Sequence, residues 1–178
     1  MDIFLQQIIN GLVLGSVYAL VALGYTMVYG IIQLINFAHG EVLMVGALTA
    51  WTVAGYVQPM FPGMPGWVVL ILATLVACTV SAVLNFSIEK IAYRPLRNSP
   101  RLAPLITAIG MSLLLQTLAM IIWKPNPKPF PNLLPSTPYE IFGAVISPTV
   151  LLILSLTAIL LVALVWLVNY TSLGRAMR

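Results

Sequence analysis

The chain has 178 residues, of which 61% are hydrophobic and 7% charged, with eight Lys or Arg against four Asp or Glu. An ordinary soluble domain carries about 25% charged residues, so this composition excludes a soluble globular core and points to an integral membrane protein. The net charge of +4 comes with no nucleic-acid motif and no internal repeat, and Cys78, the only cysteine, excludes an internal disulfide and a cysteine metal site.

The 36 residues from Ile3 to Ala38 contain no charge. Met1-Asp2-Ile3 lacks a basic n-region, and the run behind it is too long for a signal-peptide core, so it is read as a retained span. One membrane helix needs about 20 apolar residues, and two with a turn need well over about 40. The run is therefore long for one straight span and short for two. The polar sequence Asn36-Phe37-Ala38-His39-Gly40-Glu41 follows, and the next apolar run, Val42 to Val57, has only 16 residues. The polar motif is thus expected at or near membrane depth, where it is tolerated only if buried in protein or lining a watery cavity.

Five spans are predicted, at about Ile8–Tyr29, Leu34–Tyr56, Trp67–Phe86, Leu102–Trp123 and Thr149–Val168. Trp67 and Trp123 are placed like interfacial anchors, and Ser147-Pro148 reads as an N-cap with a first-turn proline. The connection Gln58–Gly66 is short and proline-rich. Lys90–Arg101 gathers Lys90, Arg94, Arg97 and Arg101. Lys124–Ser147 holds six prolines and is read as extended and irregular. The expected fold is all-α: a polytopic transmembrane helical bundle of about five spans with a broken or short second helix.

Basic residues favour the cytoplasmic side. With Lys90–Arg101 and the tail residues Arg175 and Arg178 inside, six of the eight basic residues are cytoplasmic and only Lys124 and Lys128 are outside. Five spans then put the N-terminus outside; a re-entrant first pair would move it inside.

Gly11, Gly15 and Ala19 recur at four-residue spacing in the first span, a pattern that lets two helix backbones approach closely, although glycine is also common in membrane helices generally. Asn36 and His39 share a face if their segment is helical, with Glu41 turned toward Val45, Leu48 and Thr49. Two readings stay open for Asn36–Glu41. It is a helix break whose ends line a solute path, or Asn36 caps the second helix and Glu41 sits at its positive dipole end. His39 with Glu41 lacks a third ligand for a metal, and His39 is the sole histidine, so neither a metal site nor a nucleophile–base set is predicted. Glu89 and Tyr93 close the third span beside Arg94 and Arg97, as a topology signal or a cytoplasmic contact with a partner subunit. Ser112 and Gln116 share a face of the fourth span and are expected to bond a neighbouring helix.

Several of these stretches resemble one family. They are Asn10–Ser16, Ala22–Gly30, Ile35–Glu41, Glu89–Arg97, Ala108–Ser112 and Leu173–Arg178. In this order they resemble the branched-chain amino acid ABC transporter permeases, most closely LivH-type subunits. The resemblance covers nearly the whole chain and is weakest in Lys124–Ser147. It implies one transmembrane permease domain over residues 1–178 in a bacterial inner membrane, importing leucine, isoleucine, valine or related amino acids by alternating access. It also implies a second, similar permease subunit, two cytoplasmic ATPases that bind the ATP, and a periplasmic binding protein that delivers substrate. No cofactor and no enzymatic activity are expected of this chain, which has no phosphate-binding loop. Because such permeases continue past the Gly-Arg-Ala-Met-Arg sequence, the chain is expected to be an N-terminal fragment. A urea or short-amide importer is the nearest alternative. A passive channel would need no ATPase, and a membrane enzyme would need more clustered catalytic groups than Glu41 and His39.

Overall fold

The computed structural model describes residues 2–32, 36–100, 102–134, 137, 139–141 and 144–171. Its helices are α1 (Asp2–Ile32), α2 (His39–Met60), α3 (Gly66–Ile88), α4 (Leu102–Trp123) and α5 (Pro148–Tyr170). All five are long and apolar enough to cross a membrane, and α4 has the expected bounds. α1 is one continuous helix of 31 residues, about 46 Å long at ~1.5 Å per residue. Residues 3–32 of the long apolar run are therefore a single helix that exceeds a ~30 Å hydrocarbon core, a mismatch met by tilt or projection. Its ends outreach the expected span because nothing charged or helix-breaking punctuates that run. Within Lys124–Ser147, Tyr139–Ile141 (β1) and Ala144–Ile146 (β2) pair antiparallel, with Tyr139 opposite Ile146. This hairpin, absent from the sequence expectation, uses β-branched Ile141, Val145 and Ile146 in a stretch between prolines.

The chain is built as two compact units, residues 1–33 with 134–178, and residues 34–133. In the first, α1 packs against α5 and β2. Leu23, Met27 and Gly30 of α1 line a groove of about 340 Å³ with Leu164 and Val168 of α5. None of the described side chains of α1 is buried. Gly11 and Gly15 meet no atom within 4 Å of a Cβ added to them, and Ala19 is exposed. Among the described residues, no second helix takes the close approach that this stripe permits.

The second unit is more tightly tied. α2 and α3 are antiparallel neighbours, and α4 packs on α2. Close approach occurs here: a Cβ on Gly46 of α2 would lie 2.6 Å from Ser81 Oγ of α3, and one on Gly66 would run into the Leu133 carbonyl. One buried cluster joins Ala38, Val42, Ile88, Tyr93, Ala108 and Leu115 from all three helices. A second, of Ala54, Val69 and Ala73, closes the other end of the α2–α3 pair. Small residues at these crossings are what helix association in lipid requires, because lipid tails provide no hydrophobic drive between helices. α3 does not stop at Ile88. It continues as a π-helical turn, Glu89–Tyr93, closed by the Arg94 N–H on the Glu89 carbonyl, and a 3₁₀ turn, Arg94–Leu96.

Candidate functional site

The Asn36–Glu41 motif forms the entry to α2. Asn36 is outside the helix, so the shared helical face expected for Asn36 and His39 does not exist. The helix N-cap is Ala38, whose side chain has nothing to cap with. Asn36 acts two residues earlier: its Oδ1 accepts the Ala38 N–H at 3.0 Å, and its carbonyl accepts the His39 N–H at 3.1 Å. This is an asparagine turn that feeds the chain into the helix. From His39 the helix runs unbroken for 22 residues, about 33 Å. The interruption therefore lies before the first turn, and α2 is neither short nor broken beyond it.

Asn36 is buried, and its Oδ1 accepts a second hydrogen bond, at 2.7 Å, from the Tyr93 hydroxyl. Sequence grouped Tyr93 with the exposed basic run. The wide π-helical turn instead directs it inward, where it pins the asparagine turn to the end of α3. Its neighbours do face outward: Lys90, Arg94 and Arg97 are exposed. Glu89 pairs with Arg97 at 3.1 Å, and the Lys90 ammonium stands 5.9 Å from the Phe86 ring centre. Arg101, Arg175 and Arg178 lie outside the described residues.

Glu41 is half-buried in the first turn of α2. Its Oε1 accepts a hydrogen bond, at 3.2 Å, from Ser112 Oγ of α4. Ser112 thus bonds a neighbouring helix as expected, whereas Gln116 is exposed. Three turns further along, Trp123 Nε1 donates to Thr52 Oγ1 at 2.8 Å, and both pairs are separated by 71 residues in sequence. α2 and α4 therefore run parallel at fixed register. Ser112 stands midway along Leu102–Trp123, so the first turn of α2 lies level with the middle of α4. That geometry places a carboxyl group at mid-helix depth, where a charged side chain costs about 3 kcal/mol on insertion scales. The helix N-terminus offsets part of this, by roughly 0.3–1 kcal/mol, and the Ser112 hydroxyl adds a partner. Phe37 and Gly40 are exposed and His39 is half-buried, so the motif presents a mixed polar and apolar surface.

Sequence reasoning found the motif but not the partners that hold it. The equal 71-residue spacing of two polar pairs carried the α2–α4 register, but it becomes legible only once those pairs are known to touch.

A polytopic helix bundle with a polar helix start held at mid-helix depth is the architecture that membrane transport proteins use at discontinuous helices. Residues 7–178 match the family described as the branched-chain amino acid transport system permease component, and the chain belongs to that family. It is 43% identical over 180 aligned residues to the high-affinity branched-chain amino acid transport system permease protein BraD of Pseudomonas aeruginosa. It is 41% identical to the corresponding permease protein LivH of Escherichia coli K12 and 40% identical to LivH of Salmonella typhimurium. Each alignment covers 98% of this chain and 58% of the relative, so the chain spans a little over half the length of these proteins. No solved structure matches it.

Proposed function

We propose that the chain serves as a permease subunit of an ATP-driven importer of leucine, isoleucine and valine, and that the start of α2 forms part of the solute path. Family membership and the transport named for BraD and LivH support the substrate class. The observation that carries the path is Glu41, in the first turn of α2 and bonded to Ser112 halfway along α4. A helix N-terminus exposes unpaired N–H groups and a positive dipole end, which suit the carboxylate of an amino acid. Glu41, half-buried in the same turn, supplies an acceptor that suits the ammonium group of that amino acid. The uncharged side chain of the solute would meet the exposed Phe37.

In this reading a second, similar permease completes the path, two cytoplasmic ATPases bind and hydrolyse ATP, and a periplasmic binding protein delivers the solute. The membrane is the bacterial inner membrane. The Glu89–Arg97 elbow faces the cytoplasm under the positive-inside rule, and its link from Tyr93 to Asn36 gives motions of that side a route to the α2 entry. The test is uptake of radiolabelled leucine by cells carrying the complete transporter. Glu41→Ala is expected to lower uptake at least tenfold while the assembled complex is still recovered; wild-type uptake by that variant would remove Glu41 from the path. Urea as a competitor is expected to leave leucine uptake unchanged.

A further inference from the structure

We propose that the end of the α2–α3–α4 unit opposite the Glu89–Arg97 elbow carries a binding site for the headgroup phosphate of an anionic phospholipid. A cleft of about 600 Å³ opens there between the C-terminal parts of α2 and α4 and the loop after α4, lined by Trp51, Thr52, Tyr56, Trp123, Lys124 and Lys128, among others.

Each wall is fixed by a specific bond. Trp123 Nε1 donates to Thr52 Oγ1, which sets one indole across the α2–α4 seam. Trp51 Nε1 donates to the Pro129 carbonyl at 2.9 Å, which ties the loop to α2. That tie brings Lys128 over the Trp51 ring, with its ammonium 4.8 Å from the ring centre, a cation–π distance. Lys124 ends α4 with a left-handed φ of 62°, its N–H capping the Met120 carbonyl. A non-glycine residue there is uncommon, and it sets a second ammonium group on the same cleft.

The chemistry of the lining selects the ligand. Two lysines line the cleft and, among the described residues, no carboxylate does. An anion is therefore favoured, whereas the ammonium of a zwitterion finds no acidic partner, and the Trp51 face is already occupied by Lys128. This argues against a free amino acid and against a choline or ethanolamine headgroup. The surroundings select a lipid over a soluble anion: Tyr56, Met60, Ile121 and Ile122 at this end of α2 and α4 are each at least 65% exposed. Ile121 and Ile122, which precede Lys124 in α4, form an apolar flank on which acyl chains can lie below the lysines, and Tyr56 and Met60 lie further along α2. Trp and Tyr at a helix end with Lys above them match the water–lipid interface.

The experiment uses the delipidated chain in detergent, titrated with phosphatidylglycerol or phosphatidylcholine, with the first bound lipid read by native mass spectrometry. Phosphatidylglycerol is expected to bind at least tenfold more tightly than phosphatidylcholine. The double variant K124A/K128A is expected to lose about 30-fold in that affinity, since a basic residue at the membrane surface is worth roughly fivefold. K128A alone, which leaves the α4 terminus intact, is expected to lose about fivefold, K124R/K128R to retain the affinity, and K90A/R94A at the opposite end to leave it unchanged. Equal retention of the two lipids, or unchanged affinity in K128A and K124A/K128A, overturns the proposal. Displacement of phosphatidylglycerol by millimolar inorganic phosphate or leucine also overturns it, by assigning the cleft to a soluble anion or an amino acid.

Discussion

The two units of this chain differ in how closely their helices are joined. In α1 and α5 the hydroxyls of Ser16, Thr26, Ser155 and Thr157 return to carbonyls of their own helices, and the small residues Gly11 and Gly15 stand in open space. In the α2–α3–α4 unit hydroxyls such as those of Thr49, Thr74 and Thr107 do the same, but Tyr93, Ser112 and Trp123 also reach across to Asn36, Glu41 and Thr52, and Gly46 and Gly66 are filled by their neighbours. Apolarity alone distinguishes neither group, since all five helices qualify as spans. Between helices surrounded by lipid, the specific contacts are hydrogen bonds and close backbone approach, and the second unit has both.

Substitutions can break or sharpen this contrast. The largest expected effect is Gly66→Ala, whose Cβ has no room beside the Leu133 backbone; overpacking of this kind costs about 3 kcal/mol, read as a lowered thermal midpoint of the purified chain in nanodiscs. Asn36→Ala comes next. It removes the shared acceptor of the Tyr93 hydroxyl and the Ala38 N–H in a buried place, at about 2 kcal/mol, while Tyr93→Phe costs about 1 kcal/mol. The double variant should then be less damaged than the sum, and strict additivity would show that the two side chains do not act as a pair. The smallest effect is Gly15→Ala, expected to shift stability by less than about 1 kcal/mol and toward the folded state. A clear loss would reveal a helix seated on that stripe.

Much of the fold was legible in the sequence because a membrane span announces itself by length and apolarity. α4 was bounded to the residue by Leu102 and Trp123, and Pro148 marked the first turn of α5, though the Ser147 hydroxyl makes no capping bond. The ends of α1 were not legible, because no charge interrupts its run. The site was half legible. Asn36–Glu41 stood out as polar residues in apolar sequence, but their holding partners Tyr93 and Ser112 are 57 and 71 residues away, and no local pattern encodes such a distance. Tyr93 was misleading because a π-helical turn rotates its side chain away from the face that helical spacing assigns to it. Gly46 and Gly66 carried less sequence signal than Gly11 and Gly15, yet a Cβ at either of them would meet a neighbour and one at Gly11 or Gly15 would not.

The matched 71-residue spacing of Glu41–Ser112 and Thr52–Trp123 also makes α2 and α4 share a ruler. One residue inserted between Glu41 and Thr52 turns everything beyond it by about 100° and advances it by about 1.5 Å, so one bond must be lost. An insertion of the same size between Ser112 and Trp123 restores the axial match but turns Trp123 off the seam as well, so the bond is regained only when both segments change by close to a whole number of turns. Length changes in these two segments are therefore tolerable only together and only in such steps, which couples parts of the chain that never meet in sequence.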